Sequence, residues 1–418
     1  MGAAERLCCA CLIALPLSLP APARALSLTP IEFAGQTAAV APALTDDGAG
    51  GFVVTYTERR KDGAELRFLH LDAKGTILDR GRIAASAPGQ TWFVNWADFP
   101  SLSVLDNGDW VSFFLQKSGV GSYAYDIHLT RSHDQGRHWS KPLRLNRDGT
   151  QSEHGFVSLL PAGGDKVLAI WLDGRHSAAA SPSTKAAGDQ AAAPSGAMSL
   201  RSAVIDARGR FSQESEIDAR TCDCCSTDAV QSGGHAALVY RDRSEDEIRD
   251  TRFSRREADG RWSAPALVHA DQWRMPACPV NGPALADNQG RLLALWSTMP
   301  DGPMRVRAAF GDGQGFGAMQ EIEAGEGVLG RVDASAFGAR GFLIAWLGAA
   351  AEHPEQSALK LAVLDSERGL QEQTTVIELP RGRSIGFPRL ASIGAIAVLA
   401  WTEPSESGSR IRLLRISP

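Results

Sequence analysis

Lysine is scarce in this sequence. Seven lysines stand against 36 arginines, and the formal net charge is −5. That balance excludes a broad basic field for nucleic acid and gives an anionic membrane no electrostatic hold. It also makes guanidinium, with its planar two-pronged hydrogen bonding, the main cation wherever positive side chains converge. Long apolar runs are missing after the first 25 residues, so no later segment is long enough to span a bilayer. Amphipathic helical periodicity is almost absent, which argues against a helical bundle. Tyrosine, with four residues, restricts any chemistry needing a phenol to Tyr56, Tyr123, Tyr125 and Tyr240. No cofactor-binding motif is found, and no cofactor is expected.

The composition that is present, 44% hydrophobic and 22% charged, suits a globular protein with a sizeable core. Residues 1–25 read as a secretory signal: Arg6, then the apolar "LCCACLIALPLSL", then small residues flanking Arg24 at Ala23 and Ala25. Cleavage there leaves 26–418 as one domain in an oxidising space, the periplasm or beyond, with no membrane span. Of the seven cysteines, Cys222, Cys224, Cys225 and Cys278 remain. Two disulfides are expected, in one of three connectivities; thiolate binding of a soft metal ion is the alternative.

A short apolar strand ending in an aromatic residue and a polar turn recurs along 26–418. Its anchors are Tyr56, Phe114, Trp171, Tyr240, Trp296, Trp346 and Trp401. A strand precedes each anchor strand, and two alternating strands with Gly/Asp turns follow it. Four short strands per unit predict an all-β fold, a β-propeller of four-stranded blades. Seven blades fit the length better than six, with the N-terminal "LSLTPIEFA" as the missing fourth strand of the last. The Ala/Ser/Pro-rich residues 177–197 break the pattern and read as a flexible loop within the third blade.

"SHDQGRHW" places Ser132, Asp134, Gly136 and Trp139 at a fixed spacing. The aspartate can accept hydrogen bonds from the turn's own amides, the glycine can take positive φ, and the tryptophan can cover the hairpin. The pattern resembles the Asp box, or BNR repeat, of sialidase-like propellers. Weaker echoes occur in "LDAKGTI", "IDARGRFS", "READGRWS" and "FGDGQGFG". The paired cysteine motifs beside "YRDRSEDEIRD" further resemble a subgroup of secreted bacterial sialidase-like proteins carrying a CDCC motif.

In a propeller of this type, the loops joining blades and the loops between second and third strands open on one face. That face collects the cysteines, the clustered arginines and the paired charges. The resemblance implies an arginine clamp for a sugar carboxylate, a carboxylic acid for proton transfer, and a tyrosine–glutamate nucleophile. Candidate catalytic residues are Asp98, Arg241, Arg243 and Glu247. Candidate ligand-binding residues are Arg59, Arg60, Asp173, Arg175, Arg249 and Arg331. Glu58, Asp242 and Asp333 are further acids on this face. The arginine that the family carries before its first blade is missing from "VAPALTDDG". Tyr56 and Tyr240 occupy anchor positions and are expected in the core, whereas Tyr123 and Tyr125 lie at a strand edge. His154 and His176 belong to the same face and receive no role. The ligand expected is a carbohydrate or other anionic small molecule, with hydrolysis of a glycoside (exo-sialidase-like) as the enzymatic form. The alternatives are a non-catalytic periplasmic scaffold that binds a protein partner, and a soft-metal or redox protein.

Overall fold

A computed structural model describes residues 26–36, 38–177, 196–406 and 408–418. Residues 1–25, where a signal is expected, and nearly all of the segment 177–197 expected as a loop lie outside the described residues. Twenty-eight strands form seven four-stranded antiparallel sheets, the blades of a β-propeller. The blades span residues 39–85, 102–144, 154–221, 228–267, 284–324, 330–380 and 389–417. In the seventh, Ser27–Ile31 pairs antiparallel with the last strand, from Ser27 opposite Ser417 to Ile31 opposite Leu413. The innermost strands neighbour one another in a circle.

The second strand of every blade carries the aromatic anchor. Runs such as Val167–Asp173 and Gly341–Ala349 are near-continuously buried because neighbouring blades cover both faces. The core is accordingly divided into seven clusters, each shared by two adjacent blades. The fourth strands face water; Phe211–Thr221 alternates charged and half-buried residues.

The hairpin at 132–139 has the geometry its spacing predicts. Ser132 Oγ accepts from the Gly136 amide at 2.8 Å and Asp134 Oδ1 from the His138 amide at 2.9 Å. Gly136 has φ +89°, and Trp139 Nε1 donates to its carbonyl at 3.0 Å. Equivalent turns use Asp72, Asp206, Asp259, Asp312 and Asp365, each accepting an amide two residues on at 2.8–3.0 Å. The sequence "LDSERGL" around Asp365 is a turn of this kind that the pattern reading passed over.

A second family of aspartates ties blade to blade near the axis. Asp98 accepts the Phe156 amide at 2.9 Å, Asp228 the Leu285 amide at 2.8 Å, and Asp333 the Leu390 amide at 2.6 Å. The first strands of blades 1, 3 and 6 bulge at Ala41, Phe156 and Arg331, which take φ +56°, +53° and +50°. A central cavity of about 770 Å³ opens among the first strands, lined by Ser103, Leu159, Asp228, Asp333 and Arg389.

Candidate functional site

The densest chemistry lies where the upper loops of blades 2, 3 and 4 meet. Asp98 comes from the segment joining blades 1 and 2. Tyr125 opens the third strand of blade 2, Tyr125–Ser132. Glu153 immediately precedes the first strand of blade 3, and a backbone bridge ties it to Tyr125. The Tyr125 hydroxyl is 3.0 Å from Asp98 Oδ2 and 3.0 Å from Glu153 Oε1. A phenol has one proton to donate, so it satisfies one carboxylate and accepts from the other, which must itself be protonated. The electrostatics agree. Burial raises Asp98 to about 7, and burial with the charges of Asp98 and Asp223 raises Glu153 to about 8. Burial, with Asp98 and Glu153 beside it, pushes Tyr125 well above its ordinary value, so it stays a phenol. Phe93 stacks on Tyr125 at 4.0 Å between centroids, and Gly155 leaves the space that Asp98 occupies.

Beneath this trio, His154 is buried with both ring nitrogens facing acceptors. Nδ1 is 3.2 Å from the Tyr125 carbonyl, and Nε2 is 3.1 Å from Asp148 Oδ2 and 3.6 Å from Asp173 Oδ1. Burial opposes charge here, yet Asp148 and Asp173 outweigh it and hold the ring above its ordinary pKa. Arg175 grips Asp173 with two bonds of 2.8 Å, and Trp171 Nε1 adds a third. Asp173 and Arg175 thus satisfy each other.

The cysteines form two disulfides, Cys222–Cys225 and Cys224–Cys278. The second joins the loops leading into blades 4 and 5. Bonded sulfurs offer no thiolate to a soft metal. Between them projects Asp223, its side chain 39% exposed, which accepts from Arg243 Nη1 at 2.8 Å. Arg243 also grips both oxygens of Glu247, and Oε2 accepts as well from Arg249 at 2.8 Å.

The remaining candidate residues are placed elsewhere or otherwise engaged. Arg241 is 1% exposed, and its three guanidinium nitrogens donate to the carbonyls of Asn281, Arg249 and Ser297 at 2.6–2.8 Å. It cross-links blades 4 and 5 from within the core. Arg331 donates to the Gly382 and Gly386 carbonyls and lies 4.4 Å over the Trp96 ring. Arg60 pairs with Glu58 and Glu65, Arg59 reaches the Val94 carbonyl at 3.4 Å, and Asp242 pairs with Arg252 at 2.5 Å. Asp333 faces the axial cavity, 3.3 Å from Arg389. Tyr56 and Tyr240 are buried in inter-blade clusters. Glu153, Asp148 and Asp223 were missing from the candidates. Glu153 had a readable signal: like Asp98, it lies in a loop leading into a first strand.

No family model matches the chain, and no curated protein matches it. Among solved structures, a protein of unknown function from Dyadobacter fermentans is similar over 94% of this chain and 98% of its own, at 11% identity and TM-score 0.53. A mutant NanB sialidase from Streptococcus pneumoniae aligns over 94% of each chain at 8% identity and TM-score 0.48. An ulvan lyase aligns over 80% of each at 13% identity and TM-score 0.48. The first of these likenesses shows a shared propeller fold; the structural neighbours include sialidases, other glycoside hydrolases and lyases.

Proposed function

We propose that this is a secreted, carbohydrate-active propeller that cleaves glycosidic bonds at the loops of blades 2 to 4. The observation that carries the reading is the Tyr125 hydroxyl held between Asp98 and Glu153, two carboxyl groups whose burial keeps a carboxylic acid protonated at neutral pH. Glycoside cleavage needs such an acid beside a second carboxylate. In the proposed reaction the Glu153 proton passes to the glycosidic oxygen as the C–O bond breaks. Water adds to the anomeric carbon and gives a proton to Asp223. Tyr125, a phenol rather than a phenolate, orients Glu153 and does not attack. The Asp-box reading of 132–139 and the two disulfides support a sialidase-like protein exported to the periplasm or beyond.

Hydrolysis of a panel of aryl glycosides by the mature protein tests this. Glu153→Gln should lower kcat by ~10²–10⁴-fold with an unchanged unfolding curve. Turnover at the wild-type rate in that variant would refute the assignment. A second reading, a carbohydrate-binding propeller without catalysis, draws on Asp98 and Tyr125 being only 2% and 0% exposed. It requires glycan binding with no hydrolysis by the wild type.

A further inference from the structure

Few large apolar side chains stand in water: among the described residues they are Leu78, Val120, Tyr123 and Leu267. Leu78 and Leu267 lie on fourth strands of blades 1 and 4, far apart in the ring. Val120 and Tyr123 belong together, in the segment 118–124 between the second and third strands of blade 2. Tyr123 is 59% exposed and meets Phe93 edge-on at 6.1 Å, and Phe93 is the ring stacked on Tyr125. Three aromatic rings therefore run from solvent to the acid trio.

The exposed end is held in place. Lys117 Nζ donates to the Gly121 and Ser122 carbonyls and lies 5.8 Å over the Phe93 ring. The Ser118 amide donates to the Ala124 carbonyl at 3.0 Å and the Ala124 amide to Gly121 at 3.2 Å. Gly119 packs beside the amide of Gln151, whose exposed side chain offers a donor and an acceptor next to this segment. A lone exposed aromatic needs no explanation. One fixed by its own loop and continuous with a group of reactive acids does.

We infer that Tyr123, backed edge-on by Phe93, is a stacking platform for one ring of a neutral glycan, beside the acids at which the glycosidic bond is cut. The inference rests on the carbohydrate-active reading above. An aromatic face matches the apolar C–H face of a pyranose, and Gln151 suits the hydroxyls at its rim. Charge selects the class of sugar. Lys117 Nζ donates to two carbonyls and lies over the Phe93 ring, while Arg175, Arg243 and Arg249 are bound to Asp173, Asp223 and Glu247. With these four cations engaged, the carboxylate of a uronate or sialate meets no free partner among them.

The test is binding of the full mature chain to an array of glucan, galactan, mannan, uronate and sialylated oligosaccharides, with calorimetry on the strongest binders. A neutral oligosaccharide should bind at least ~10-fold more tightly than a sialylated one of equal length. Tyr123→Ala should weaken that binding ~10-fold without lowering thermal stability, and Tyr123→Trp should restore it. Absence of glycan binding, equal affinity for sialylated chains, or an indifferent Tyr123→Ala each overturns the platform. Binding that depends on Tyr123 without any cleavage overturns the hydrolase reading and leaves the platform standing.

Discussion

Adding a single methyl group at Gly155 should damage this protein more than most core truncations. In extended backbone, glycine to alanine usually stabilises by ~0.4–1 kcal/mol, because it restricts the unfolded chain. Here the new Cβ would run into Asp98 Oδ2 and lie 3.0 Å from both Asp98 Cγ and Tyr125 Cε2. The obstructing carboxylate is not free to swing aside. Its two oxygens hold the Phe156 amide at 2.9 Å and the Tyr125 hydroxyl at 3.0 Å. Displacing it strands the buried Phe156 amide at ~1–3 kcal/mol and takes from the Tyr125 hydroxyl one of its two partners, and crowding adds ~1–3 kcal/mol. The expected loss is on the order of 2–6 kcal/mol, opposite in sign to the backbone effect. Urea unfolding followed by tryptophan fluorescence measures it for the wild type, Gly155→Ala, Asp98→Ala and the double variant. Asp98→Ala removes the obstruction, so adding Gly155→Ala to it should cost less than ~1 kcal/mol. Additive costs, or a stabilised Gly155→Ala single variant, would refute the reasoning.

Stability should rise on acidification from pH 8.5 to 5.5. Asp98 (about 7), Glu153 (about 8) and His154 all have folded-state pKa values above their unfolded ones. Each binds its proton more tightly when folded, so its contribution is present at low pH and lost as pH climbs through the folded value. His128, lowered by burial, is a counter-effect below its ordinary value. A melting temperature that is flat or falls over that window contradicts the proton-sharing trio, and Asp98→Asn should reduce the slope. If Glu153 is the proton donor, kcat should decline above about pH 8, and a rate still climbing at pH 9 excludes it. Arg241→Met should destabilise by ~3–5 kcal/mol, because three buried carbonyls lose their donors, and should leave glycan affinity unchanged in the folded fraction. A change in affinity without a change in stability would make Arg241 a ligand contact after all. Thiol titration of the unreduced mature protein should find no free cysteine. Cys278→Ser should cost ~2–5 kcal/mol, since it opens a loop closed across 54 residues.

Blade number was legible because each second strand is buried on both sides and ends in a bulky ring. Trp171, Trp296, Trp346 and their counterparts therefore stand out against the alternating outer strands. The Asp turns were legible for a local reason, an aspartate capping the amide two or four residues ahead with a glycine one to three residues on; in the Asp365 turn the glycine, Gly369, comes four residues on. The upper face was legible only as a set of loops. An arginine in such a loop reads the same whether it faces a ligand or a carbonyl. Arg241 and Arg331 turned inward because a strand of the next blade, carrying Ser297, and the loops between blades, carrying Asn281, Gly382 and Gly386, brought their carbonyls within reach. Glu153 and Asp223 became neighbours of Asp98 and Tyr125 through the closeness of three loops remote in sequence, which no local pattern encodes.

The bond from Cys224 to Cys278 has one more implication. It welds two successive loops into a fixed jaw, whereas the glycine-bearing 118–124 segment of blade 2 is held by hydrogen bonds and ring contacts. A vise with one immovable side adjusts its grip from the other. Recasting that blade-2 loop should therefore retune which ligands fit while the covalently braced wall, and the acids behind it, keep their positions.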